Sequence, residues 1–134
     1  MRIVILCLVI LQVTAVEAVS NTRTGIIDLD QTRNLLAAGA AFIDNRPEHM
    51  YANGHIEGAV NLPFFQKNHP ASRMTRENLL AAIGSKTVVV FYCSGAYRAY
   101  HAMMQASDWG MKAHLYWYKN GMKEWLALQL PVSK

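Results

Sequence analysis

Thr87-Val88-Val89-Val90-Phe91-Tyr92 runs without a break into Cys93-Ser94-Gly95-Ala96-Tyr97-Arg98, and this stretch decides the fold. Its first half is continuous, β-branched and aromatic, as expected of a strand covered on both faces. Its second half is small up to Tyr97. A helix is then expected from about Arg98 to Trp109, ended by Gly110. A buried strand that turns straight into a helix belongs to a parallel sheet rather than to a hairpin.

The same alternation extends in both directions. Strands are expected over residues 26–29, over 41–43 ending at Asp44, over 59–62 before Pro63, and over 114–118. Asp30 is a fair N-cap for a helix through Ala38, with Leu35 and Leu36 on one face and Gly39 as the stop. Pro47 can open a short helix that closes at Asn53-Gly54. Thr75 begins another, with Leu79, Leu80 and Ile83 inward and Gly84 after it, and residues 122–128 form the last. Residues 19–24 are polar and expected to fray. The pattern predicts a three-layer α/β domain: a central, mostly parallel five-stranded sheet with helices on both faces. There is no internal repeat or low-complexity tract. Ligands of such sheets sit at the carboxyl ends of the strands, which singles out the Cys93 loop and Asp44-Asn45-Arg46.

At 134 residues the chain has room for one domain. Its hydrophobic fraction of 52% is high, and much of the excess lies at the start. Met1-Arg2 is basic, residues 3–13 are apolar apart from Gln12, and Val16-Glu17-Ala18 offers small residues where a signal peptidase reads. The apolar run falls short of the roughly 20 residues that span a bilayer. Residues 1–18 are therefore expected to be a cleaved signal peptide and 19–134 the domain, with a periplasmic or secreted location and no stable membrane anchor. Cleavage removes Arg2 and Glu17 together, so the net charge of +4 is unchanged. Lys and Arg are scattered rather than striped, which argues against nucleic acid and suits small anionic ligands.

Of the two cysteines, Cys7 falls in the leader and Cys93 stands alone in the domain. A lone cysteine in an exported chain is either buried and inert or reactive. Its position favours reaction. A thiolate at a strand-to-helix turn faces unpaired N–H groups and the positive end of the helix dipole, which lowers its expected pKa. Ser94, Gly95 and Ala96 let the backbone curl around the sulfur, and Arg98 adds a charge that can bind an oxyanion.

Three segments then resemble the single-domain rhodanese family across roughly residues 26–132. Ile43-Asp44-Asn45-Arg46 with Gly54-His55-Ile56-Glu57-Gly58-Ala59-Val60-Asn61-Leu62-Pro63 is similar to its Asp-x-Arg and Gly-His-Ile-x-Gly-Ala-x-Asn-hydrophobic-Pro segments. The Cys93–Arg98 loop is the second. Asn120-Gly121-Met122-Lys123-Glu124-Trp125 with Leu130-Pro131-Val132 resembles the terminal Gly-Gly-x-x-x-Trp and Pro-Val. The resemblance implies a sulfurtransferase in which Cys93 takes a sulfane sulfur from a donor such as thiosulfate and passes it to cyanide or a thiol. In those terms the amides from Ser94 through Gly95, Ala96 and Tyr97 to Arg98 cradle the sulfur, and Arg98 orients the anionic donor. Asp44 and Arg46 support the loop, and no cofactor is needed. The chain departs from the family at Ala96, where glycine is usual, and at Asn120, whose tolerance of left-handed backbone can replace the first glycine of the pair. Tyr97 adds a bulky ring that can narrow the entrance.

Phosphatases and arsenate reductases of the same fold use a Cys-x5-Arg loop, and the Cys-x4-Arg spacing here favours sulfur over a tetrahedral oxyanion. A non-turnover binding module, or a persulfide carrier serving a partner protein, would keep the same residues. His49, His69, His101 and His114 lack metal-ligand spacing, so no metal is expected. His55 reads as a scaffold residue, Lys119 as a residue that could reach the loop mouth, and Trp109, Tyr116, Trp117, Tyr118 and Trp125 as core or pocket wall. Met103 and Met104 read as helix packing.

Overall fold

The computed structural model describes residues 23–134. The expected leader, its cleavage site and Cys7 lie outside the described residues. The chain runs β1 (Arg23–Ile27), α1 (Leu29–Ala37), β2 (Ala41–Asp44), α2 (Glu48–Asn53) and β3 (Val60–Asn61). It continues with α3 (Arg76–Ile83), β4 (Val88–Tyr92), α4 (Arg98–Asp108), β5 (His114–Tyr118) and α5 (Gly121–Ala127). The strands form one sheet in the order β1-β5-β4-β2-β3, and every neighbouring pair is parallel.

Strand alternation sends side chains to two faces, and each face has its own core. Ile43, Val89, Phe91 and Cys93 pack with Leu79 and Ile83 of α3 and with Ala99, Ala102, Met103 and Ala106 of α4. Phe42, Val90, Tyr92 and Tyr118 pack with Met122 and Trp125 of α5, with Leu35 and Leu36 of α1 and Tyr51 of α2 against them. The central strand β4 is fully buried from Val89 to Tyr92, which accounts for its unbroken apolar sequence.

The first helix begins earlier than its sequence suggests. Asp28, not Asp30, is the N-cap: its carboxylate accepts from Gln31 N–H at 2.8 Å, and the Gln31 side chain accepts from Asp28 N–H at 3.0 Å. This reciprocal box contributes about 1 kcal/mol and needs an acceptor-bearing residue three positions on, which Gln31 supplies. Arg23 and Thr24, expected to fray, are held in β1 by register with His114 and Leu115. Leu80 is 42% exposed rather than inward, and Met104 is exposed while Met103 is buried.

The carboxyl-terminal segment straps the domain. Trp125 Nε1 donates to the Pro131 carbonyl at 2.9 Å, and Ser133 bridges His55 in both directions. Gly54 lies against Val132 with room for a Cβ, and its φ of +152° is a conformation that L side chains rarely adopt. His55 stacks on Tyr51 at 3.7 Å between centroids, and its Nδ1 lies 3.0 Å from the Tyr51 carbonyl, a scaffold role.

Candidate active site

Cys93 sits one residue beyond β4, at the carboxyl edge of the sheet, as a free and buried thiol. The backbone leaves the strand through Ser94-Gly95-Ala96 and enters α4 at Arg98. Gly95 has φ +135°, a conformation that L side chains rarely adopt, and a Cβ there would lie 3.1 Å from the Asn120 carbonyl oxygen. The loop glycine thus stands where the turn demands it, and Ala96, which is exposed, is under no such demand.

No backbone carbonyl accepts from the amides of Ser94, Gly95, Ala96, Tyr97 or Arg98 among the described residues, and no side chain caps α4. These unpaired donors lie between Cys93 and the start of an 11-residue helix, where the backbone's partial positive charge favours an anion. The thiol itself donates to the Ala96 carbonyl at 3.1 Å.

The loop is fixed from below by α5. Met122 N–H donates to the Cys93 carbonyl at 2.8 Å and Lys123 N–H to the Ser94 carbonyl at 2.9 Å. This approach is possible because residue 121 is glycine: at φ +55°, a Cβ would collide with the Cys93 carbonyl oxygen and lie 2.9 Å from Gly95 N. Asn120 takes ordinary right-handed helical backbone, φ −74°, rather than the left-handed conformation expected of it. Its amide instead donates to Glu124 at 3.1 Å, and Glu124 also accepts from Tyr118.

Asp44 and Arg46 form a fully formed ion pair at 2.7 Å, buried on both sides. Arg46 also donates to the Gly54 carbonyl at 2.8 Å, and Asn61 Nδ2 donates to the Asp44 and Arg46 carbonyls. Tyr92, directly before Cys93, accepts from Ile56 N–H at 3.1 Å. Burial first, then the Asp44 charge, push its hydroxyl well above the ordinary tyrosine range. The pair and its hydrogen bonds thus join the end of β2 to the Gly54 turn and to Asn61 of β3.

Arg98 points elsewhere than its position in the loop suggests. Its guanidinium lies 5.3 Å over the Phe65 ring, a cation–π contact. It lines a cavity of about 360 Å³ with Phe65, Lys67, His101, Met104 and Gln105. Tyr97 is 61% exposed and packs on Trp117 and Tyr100, so its ring forms part of the rim. Lys119 is exposed at the end of β5 and pairs with nothing among the described residues. Trp117, Tyr118 and Trp125 are buried, while Trp109 and Tyr116 are half-buried. Among the described residues no group of His, Cys, Asp or Glu is placed to hold a metal ion, and no helix is long and apolar enough to cross a membrane.

Sequence reasoning missed three contributors: Tyr92, Asn61 and Phe65. Asn61 belongs to a segment whose resemblance was visible, whereas Phe65 reaches Arg98 from a loop with no sequence signature.

Comparison with known proteins agrees with this geometry. The model of the rhodanese-like domain matches residues 28–128. An HTH-type transcriptional regulator of Mycobacterium tuberculosis is 29% identical over 124 residues, covering 91% of this chain and 50% of that protein. The chain spans about half the length of this curated relative. The structure of the human single-domain sulfurtransferase TSTD1 is 29% identical, with a TM-score of 0.57, over 76% of this chain and 95% of that one. The polysulfide-sulfur transferase of Wolinella succinogenes, a homodimer, is 25% identical with a TM-score of 0.58, over 82% and 78%. With the parallel α/β sheet, the strand-to-helix loop and the strap accounted for, this chain belongs to the rhodanese-like domain family and has the fold of its sulfurtransferases.

Proposed function

We propose that the chain is a sulfurtransferase that carries a sulfane sulfur on Cys93. The observation that carries this reading is a free thiol at the sheet edge followed by the unpaired amides of residues 94–98 at the start of α4. The Cys93 thiolate attacks the outer sulfur of a small anionic donor such as thiosulfate. A new S–S bond forms, the donor's S–S bond breaks, and sulfite leaves with the bonding pair. The negative charge then rests on the terminal sulfur of the persulfide, where the loop amides stabilise it. Cyanide or a thiol attacks that sulfur and regenerates the thiolate. Polysulfide is a second candidate donor, since the similar Wolinella succinogenes protein is a polysulfide-sulfur transferase.

Arg98 supplies the charge that orients the donor once its guanidinium leaves Phe65, and the cavity it lines also carries Lys67, His101 and Asp108. Asp44 and Arg46 hold the loop. With Cys7 assigned to the leader, discharge requires an external acceptor. The leader assignment, and with it a periplasmic or secreted location, rests on residues 1–18 alone. Their retention in the mass of the exported protein would overturn it.

The decisive experiment is intact-protein mass spectrometry before and after thiosulfate. One added sulfur, removed by cyanide or a thiol and absent in Cys93→Ser, is the expected result. Loading by polysulfide but not thiosulfate would change the donor. No loading by either would leave a binding module without sulfur chemistry. A second reading, a carrier dedicated to one partner protein, predicts single-equivalent loading without turnover.

A further inference from the structure

The cavity at Arg98 is a groove along one face of α4. Arg98, His101, Gln105 and Asp108 line it, and their spacing is that of one stripe of a helix. Its other wall is the segment from Phe64 to Lys67, after β3. At about 360 Å³ it lies within the range of small-molecule sites, roughly 300–1,000 Å³.

Part of this groove is apolar and open: Phe65 is 40% exposed and Met104 36%, and both line it. Large apolar side chains left exposed together in a concavity mark a surface that a ligand covers. The charges are unequal. Lys67, Arg98 and His101 line the groove against one carboxylate, Asp108, and none of the four is in an ion pair among the described residues. They are also unevenly placed. Arg98 begins α4 and Asp108 ends it, roughly 15 Å apart along the helix axis. Phe65 lies against Arg98, which brings the loop carrying Lys67 to the same cationic end. That end is on the side of Cys93, because α4 starts at the carboxyl edge of the sheet and returns to the start of β5, parallel to β4.

We propose that this groove is the acceptor subsite and that it takes a small thiol carrying an apolar body and a carboxylate. This rests on the sulfur-carrier reading above. The carboxylate meets the forked guanidinium of Arg98 and the Lys67 ammonium, and the apolar body covers Phe65 and Met104. Discharge then needs no further reactant. The acceptor thiolate attacks the outer sulfur of the Cys93 persulfide and a new S–S bond forms. The bond to Sγ breaks, its electron pair returns to Sγ, and the acceptor leaves as its persulfide. Donor and acceptor act in turn, so one arginine serves both.

The first arm of the test is calorimetric titration of the full chain with hydrocinnamate, which has the apolar body and the carboxylate but no sulfur. Saturable binding is expected, weakened about tenfold in Lys67→Glu and in Met104→Glu. Lys86→Glu changes the net charge as much as Lys67→Glu, away from the groove, and should bind as the wild type does. The second arm measures acceptor kcat/KM at fixed thiosulfate. The thiol α-benzyl-β-mercaptopropionate should exceed both β-mercaptopropionate, which lacks the ring, and phenylethanethiol, which lacks the carboxylate, by about tenfold. That advantage should disappear in Lys67→Glu. No binding of hydrocinnamate, equal binding in all variants, an equal loss in Lys86→Glu, or an acceptor preference unchanged in Lys67→Glu overturns the proposal. Transfer to cyanide without hydrocinnamate binding would be failure of the groove alone. Hydrocinnamate binding with no transfer to cyanide or any thiol would be failure of the sulfurtransferase reading, and the acceptor role would fall with it.

Discussion

The backbone N–H of Met122 donates to the carbonyl of Cys93 at 2.8 Å, so the start of α5 holds the backbone of Cys93 itself. The bond depends on Gly121 lying between two chain segments with no room for a side chain.

Gly121→Ala should therefore act on the loop as well as on stability. Left-handed backbone and collision with the Cys93 carbonyl together predict a loss of about 1–3 kcal/mol. Sulfur loading should fall in the fraction that remains folded. Chemical denaturation and intact-mass loading check the two effects, and a variant that loads at the wild-type rate would show that the loop tolerates displacement.

Arg98→Ala should weaken anionic donors by roughly 1.5–3 kcal/mol, about ten- to a hundredfold in kcat/KM, if the guanidinium leaves Phe65 to meet the donor. Steady-state kinetics with thiosulfate is the measurement. Equal activity would mean that Arg98 stays on Phe65 throughout the reaction.

Asp44→Asn leaves the buried Arg46 guanidinium without its anion. Breaking such a pair costs about 3–5 kcal/mol, mostly as the penalty for an uncompensated buried charge. Urea unfolding reads this directly. A loss below about 1 kcal/mol would place the pair with weakly coupled surface bridges.

Alkaline pH should destabilise the fold through Tyr92 and Tyr118, both raised above the usual tyrosine range by burial first and by Asp44 and Glu124 respectively. The unfolded chain releases these phenolic protons near pH 10, roughly the free-tyrosine value, while the folded chain keeps them. Above that pH the unfolded state binds fewer protons, so stability present below it is lost as pH rises. Tm should be nearly level up to about pH 10 and then drop, with a shallower drop in Tyr92→Phe. Identical alkaline slopes in the two proteins would show that Tyr92 ionises as freely in the fold as in the unfolded chain.

Much of the architecture was legible because burial leaves a linear trace. Residues 87–92 read as a central strand since both faces of β4 are covered. The helix stops were legible where glycine followed, as at Gly39, Gly84 and Gly110, all at positive φ. Errors arose where two local solutions compete. Asp28 and Asp30 can each cap a helix, and only Asp28 has Gln31 three residues on to complete the box. Asn120 and Gly121 can each supply unusual backbone, and packing against Cys93 assigns it to Gly121.

The sequence by itself determined the parallel α/β domain, the strand-to-helix placement of Cys93 and its family resemblance, because strand burial, glycine positions and motif spacing are local along the chain. Only the tertiary structure decided where Arg98 points, which strand end the Asp44–Arg46 pair braces, and that Asn45 is buried with its side-chain nitrogen on the Leu62 carbonyl. Each of these depends on a partner from a distant segment: Phe65 for Arg98, Gly54 for Arg46, and Leu62 for Asn45. A side chain's direction is set by what the fold brings against it, and that information is absent until the strands are in register.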